Sequence, residues 1–173
     1  MSEPECNNDA IAYGVTVEPA IVPGGVLYWK CIRVHHLEQH ENNGNHNIFV
    51  DVYDEWGLRV NPNEAQVTIW WQDGQDFIPL DKPDNEPMGN APLWKGQVVG
   101  VQVGSELDSD RVVNIHTNHD DEPPGNTRFH HSFLVEFQLV IKALPPEPPV
   151  SSIDSGCNLV LVAIARLIES LRR

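Results

Sequence analysis

The chain has 173 residues, 40% of them apolar, with 14 prolines and 12 glycines. That length holds one packed domain with appendages and is too short for two full-sized ones. A formal net charge of −14 excludes nucleic acid and anionic membrane surfaces as natural partners, because neutralising phosphate needs clustered Lys and Arg.

Residues 1–13 are polar and acidic and read as a flexible N-terminal arm. Met1 to Asp9 has neither the basic start nor the apolar run of a secretory signal, so synthesis in the cytoplasm without export by the usual route is expected. From residue 14 to 142 the hydrophobic pattern has period two, the mark of half-buried strands. Strands are predicted over residues 26–34, 46–53, 66–71, 97–103, 111–115 and 132–142. In the first, Val26, Tyr28, Lys30, Ile32 and Val34 share one face, and Leu27, Trp29, Cys31 and Arg33 the other. In the second, Ile48, Val50 and Val52 share a side. Asp54-Glu55-Trp56-Gly57 is a predicted hairpin turn with Gly57 at positive φ. Asp73-Gly74 closes the third strand. Residues 80–90, with two prolines, read as a loop crossing between sheets. Seven or eight short strands without helices between them predict an all-β, two-sheet antiparallel sandwich. Without helical crossovers, parallel pairing is not expected.

Residues 143–156 contain Pro145-Pro146-Glu147-Pro148-Pro149 and form a stiff extended linker. An amphipathic α-helix is predicted over 157–173, capped by Asp154 or Ser155. Val160, Ile164, Leu167, Ile168 and Leu171 make its apolar stripe, widened by Leu161. It is too short to span a bilayer. A sticky helix on a stiff tether suits assembly with copies of itself or docking on a partner protein. Packing back on its own sandwich is the alternative. Three cysteines do not make a disulfide framework. Cys31 reads as a small buried residue. Cys6 and Cys157 sit in the two tails, where a bridge between them or between subunits remains open.

All eight histidines fall in two blocks, residues 35–46 and 116–131. Histidine serves as metal ligand, proton carrier or polar ring. Neighbouring strand residues face opposite ways, so only one histidine of His35-His36 and one of His130-His131 can aim at a shared centre. His36, His46, His116, His119 and His131 are the candidate metal ligands. Such imidazoles with a carboxylate would suit Zn²⁺, and Asp120, Asp121 and Glu122 alone would suit Ca²⁺. The spacing matches no standard metal motif, so no resident cofactor is expected, and the competing reading is that these rings pin loops through hydrogen bonds. Ser132 follows His131, but adjacent strand residues face apart and no orienting acid is evident, so no catalytic residue is assigned. For carbohydrate binding, Trp56, Trp71 and Trp94 are candidate stacking rings, with Asn45 and Asn47 for the hydroxyls. The competing reading places large aromatics in the core, above all Trp29 and Trp70.

Several stretches resemble a set of Ig-like modules found in uncharacterised bacterial and phage-related proteins, some attached to lysozyme-like glycoside hydrolases. They are Trp29-Lys30-Cys31-Ile32-Arg33-Val34-His35-His36-Leu37, Glu41-Asn42-Asn43-Gly44-Asn45-His46-Asn47-Ile48-Phe49-Val50-Asp51-Val52, Asp81-Lys82-Pro83, His116-Thr117, and Gly125-Asn126-Thr127-Arg128-Phe129-His130-His131-Ser132-Phe133. The match covers residues 14–142. The resemblance implies an Ig-like sandwich with an accessory role in binding or display and no catalytic residue. With no hydrolase and no signal peptide in this sequence, a component of a virion or similar particle is expected. A carbohydrate-binding accessory domain of a wall-degrading system is the alternative, and a metal-dependent hydrolase a third.

Overall fold

The computed structural model describes residues 3–94, 96–104, 106–117 and 131–146. The chain divides into two compact units, Met1–Ala143 and Leu144–Arg173. In the first, two five-stranded sheets pack together as a sandwich. In chain order the elements are β1 (Asn7–Asn8), a 3₁₀ turn (Ala10–Tyr13), β2 (Thr16–Glu18), β3 (Leu27–Leu37), α1 (Gln39–Asn42) and β4 (Asn47–Tyr53). Then follow β5 (Val67–Trp71), β6 (Gly74–Ile78), β7 (Gly89–Pro92), β8 (Val99–Val103), β9 (Arg111–Ile115) and β10 (Ser132–Ile141). One sheet has the order β1-β3-β10-β4-β7, the other β2-β9-β8-β5-β6. Among the described residues, no helix is long and apolar enough to cross a membrane.

The second sheet is antiparallel throughout, as expected. The first is mixed, which corrects the expectation of an all-antiparallel sandwich. β10 runs antiparallel to β3 but parallel to β4, and β1 runs parallel to β3. A parallel pair needs a long crossover, and helices are the common way to make one. Here the crossover from β4 to β10 passes through strands of the opposite sheet, and the crossover from β1 to β3 passes through β2. A sequence pattern without helical crossovers therefore did not exclude parallel pairing. Short helical turns were also missed: α1 sits inside the first histidine block and the 3₁₀ turn lies in the segment expected to be an arm.

The core is built from the alternation that predicted the strands. Ile48, Val50, Val52, Phe133, Val135 and Phe137 of the first sheet are fully buried with Val67, Val101 and Val112 of the second. β3 departs from strict alternation. Arg33 pairs with Glu136 and Cys31 with Phe137, which leaves Ile32 as an extra, bulged residue. Both Cys31 and Val34 consequently reach the core at 0% exposure, although period two assigns them to opposite faces. The bulge also turns His36 inward and leaves His35 outside, so it decides which histidine of the doublet is buried.

Four strands were not anticipated, all at sheet edges: the short β1 and β2, and β6 and β7. β6 is an edge strand with four exposed residues and no apolar alternation to reveal it. β7 has the sequence Gly-Asn-Ala-Pro, a composition poor in strand formers that suits an edge. Its Gly89 is required sterically, since a Cβ there would lie 2.5 Å from the Pro79 carbonyl oxygen. The segment before it does cross from the second sheet to the first. Asp51, buried in β4, anchors it by accepting from the Met88 N–H at 3.0 Å and pairing with Arg59 at 3.0 Å. Gly57 adopts φ 80° in the hairpin turn, as predicted.

The N-terminal residues lie against the sandwich. β1 pairs with β3, Ala10 is fully buried, and the Glu3 carboxylate accepts from Tyr28 Oη at 2.7 Å, Lys30 Nζ at 3.2 Å and the Ala143 N–H at 2.6 Å. Those bonds, Tyr28 first, hold the Glu3 carboxyl down at about 2. Residues 147–173, with most of the expected linker and the expected helix with Val160, Ile164, Leu167, Ile168 and Leu171, lie outside the described residues.

Candidate functional site at the histidine-rich end

Two strand ends bring the histidine blocks together. β3 ends at Leu37 and pairs there with Ser132, the first residue of β10. His36 Nε2 lies 2.5 Å from His131 Nδ1, with ring centroids 4.5 Å apart. One ring donates and the other accepts, so the pair is satisfied with a single proton between the two nitrogens. Tyr13 stacks on His36 at 3.7 Å between centroids, and Phe133 meets it edge-on at 5.4 Å. His36 is thus a ring in an aromatic stack, 5% exposed.

His35 points the other way, as strand alternation requires. Its Nδ1 lies 2.5 Å from Asp9 Oδ2 and its Nε2 3.3 Å from Glu41 Oε1. Asp9 Oδ1 also accepts the His36 backbone N–H at 2.8 Å. Burial acts to raise the Asp9 carboxyl, but the bonds from the His36 N–H and His35 outweigh it and hold it below the usual range. Glu41 closes a capping box on α1 by accepting the Glu38 N–H at 2.9 Å, and that bond comes first in lowering its carboxyl. A carboxylate–imidazole–carboxylate chain therefore ties the N-terminal segment, β3 and α1 together.

The rest of the block is held by similar cross-links. Asn43 and Gly44 adopt left-handed φ values of 54° and 77° after α1. Buried Asn42 steadies them by donating to the Leu37 carbonyl at 3.2 Å and accepting the Gly44 N–H at 2.7 Å. Ser132 is fully buried; its Oγ donates to the Asn45 carbonyl and accepts the Asn47 N–H, both at 3.0 Å. His46 Nδ1 bonds the Leu93 carbonyl, which can only accept, so this nitrogen carries the proton.

The candidate metal ligands divide among different tasks. His36 and His131 meet each other, while His46 holds the chain after β7. His116 follows β9, which starts beside β3 at Trp29 and Asp110, so the two strands run toward the same end of the sandwich. His119 lies outside the described residues. Among the described residues, no group of three or more His, Cys, Asp or Glu side chains is placed to hold a metal ion.

The candidate sugar-binding rings are also separated. Trp94 is 63% exposed and lies beside His46, with 6.0 Å between ring centroids, near Asn45 and Asn47. Trp56 is 76% exposed in the hairpin at the other end of β4, about 20 Å away along seven strand residues. The two cannot stack on one sugar ring. Trp71 is partly buried and packs against the core, sharing the inward parity of Val67 and Ile69. Trp70, expected in the core, lies instead on the outer face, where it covers Gly100 and has the Arg111 guanidinium 4.8 Å above its ring. The expectation of Trp71 as an outward ring and Trp70 as a core residue is therefore corrected: the two faces are inverted, while Trp29 is buried as expected.

Asp9, Tyr13 and Asp110 were missed. Asp9 and Tyr13 lie in the segment read as an arm, and local sequence carries no sign that they dock on a strand more than twenty residues away. Asp110 is 3% exposed, and its carboxylate accepts the Ala20 N–H at 2.8 Å and the Cys31 N–H at 3.0 Å. No family model, curated protein or solved structure matches the chain.

Proposed function

We propose that this protein is a non-enzymatic structural or binding module carried on a larger assembly, such as a phage virion or similar particle, and that its sandwich is of the Ig-like kind. The observation that carries the reading is the use made, among the described residues, of Ser132, the serine weighed as a nucleophile, and of His35 at the same end of the sandwich. Ser132 bridges two backbone groups inside the protein, and both nitrogens of His35 face carboxylates. Neither arrangement leaves a group free to activate an attacking atom. These polar groups instead fasten three segments of chain, at Asp9, at Glu41 and at Asn45–Asn47, to one end of the sandwich.

Binding is assigned to the outward-facing rings. Trp56 stands on a hairpin whose backbone is fixed by Asp54, which accepts the Trp56 and Leu58 N–H groups at 2.9 and 2.8 Å. A rigid turn presenting a solvent-exposed indole suits contact with the apolar face of a glycan at little entropic cost. Assembly is assigned to residues 157–173. A glycan array comparing wild type with Trp56→Ala tests the first role: signal lost in the variant supports it, and no wild-type signal on any glycan counts against it. For the second, deletion of 157–173 should abolish oligomerisation or particle incorporation. Unchanged behaviour in both sinks the assembly role.

A further inference from the structure

We propose that Cys6 and Cys31 are a redox pair whose disulfide locks the N-terminal segment onto β3. The two sulfurs are 3.9 Å apart, in contact but unbonded. Their approach follows from the backbone: Asn7 pairs in parallel with Arg33, so Cys6 precedes that register beside the Ile32 bulge, where Cys31 turns into the core. The segment is pinned on both sides of Cys6, by Glu3 on Tyr28 and Lys30 and by Asp9 on His35 and His36. Cys31 is held from behind by its N–H bond to Asp110. The pair is also asymmetric, since Cys6 is exposed and Cys31 is completely buried.

That asymmetry orders the chemistry. Contact with Cys31 lowers the Cys6 thiol, while contact with Cys6 and burial push Cys31 up, so the exposed sulfur is the readier thiolate. A low-molecular-weight disulfide such as oxidised glutathione supplies the oxidising equivalents. Cys6 thiolate attacks one of its sulfurs, forming a mixed disulfide and releasing one glutathione thiolate. Cys31 then loses its proton to solvent and attacks the Cys6 sulfur, expelling the second glutathione. Two electrons pass to the small disulfide and two protons leave the protein. The new bond closes a loop across a separation of 25 residues and fixes the segment that carries Asp9 and Tyr13 against the histidine-rich end.

The test treats the folded full-length chain with oxidised glutathione and follows intact mass, free thiols and a tryptic map. The expected product has lost two hydrogen atoms and retains one free thiol of three. Trypsin should release residues 1–30 joined by a reducible bond to Cys31-Ile32-Arg33. The oxidised form should melt about 5–10 °C higher than the reduced one. Cys31→Ala should stop at a glutathione adduct on Cys6, and Cys6→Ser should form neither adduct nor link at these positions. The proposal is overturned if wild-type Cys6 stays free, stops at the adduct, or links to Cys157 or to a second chain.

Discussion

The two ends of β4 are built on opposite plans. Where the strand begins, Asn47, Ser132, His46 and the Asn42 turn exchange hydrogen bonds that join β3, β4, β10 and the chain after β7. Where it ends, the hairpin satisfies its backbone through Asp54 and leaves the Trp56 ring in solvent. The first end has its functional-looking side chains turned to each other; the second turns one large apolar ring away from everything. The difference teaches that residue type alone is a poor guide to function here. Histidines and a serine that look catalytic in sequence hold the fold, while a tryptophan in a turn is the group left in solvent.

Substitutions at the two ends should separate this contrast sharply. The largest effect is expected for His36→Ala, which removes a ring stacked on Tyr13 and the contact it makes with His131 Nδ1; a loss of about 2–4 kcal/mol should appear in urea unfolding. Ser132→Ala leaves the Asn45 carbonyl and Asn47 N–H short of a partner and should cost about 1–3 kcal/mol by the same measurement. Trp56→Ala should leave stability within about 0.5 kcal/mol of wild type, because little is packed against the ring.

The N-terminal segment supplies a pH test of how firmly the histidine-rich end is clamped. The Glu3 carboxyl is lowered from 4.5 to about 2 by its bonds to Tyr28, the Ala143 N–H and Lys30. Its contribution is complete above the unfolded value of 4.5 and disappears as pH falls through about 2. Stability measured by thermal unfolding should decline across that window, and Glu3→Gln should make the decline shallower. An equal slope in the variant would mean that Glu3 does not fasten the segment.

Much of the sandwich was legible because its central strands bury one face and advertise it by alternation. β4, β5, β8, β9 and β10 were found within two residues of their ends. The edge strands β6 and β7 were not, since exposure and a Gly-Asn-Ala-Pro composition remove the signal. Parallel pairing of β4 with β10 could not be read locally, because it depends on a crossover through the other sheet. Strand parity limited each doublet to one histidine able to face a shared centre, and one from each does meet the other. His36 and His131 were the members chosen, but the Ile32 bulge that turns His36 inward leaves no mark in the alternation. Asp9, Tyr13 and the Cys6–Cys31 contact were invisible for a related reason: each depends on where residues 3–13 dock.

The most direct test of a structural clamp is a double-mutant cycle on His36 and His131 by urea unfolding, using His36→Ala, His131→Ala and the double variant. Two rings in contact across paired strand ends should couple, so the single losses should exceed the loss in the double variant by about 1 kcal/mol or more. Additive losses would mean that the two histidine blocks do not support each other, and would contradict the account.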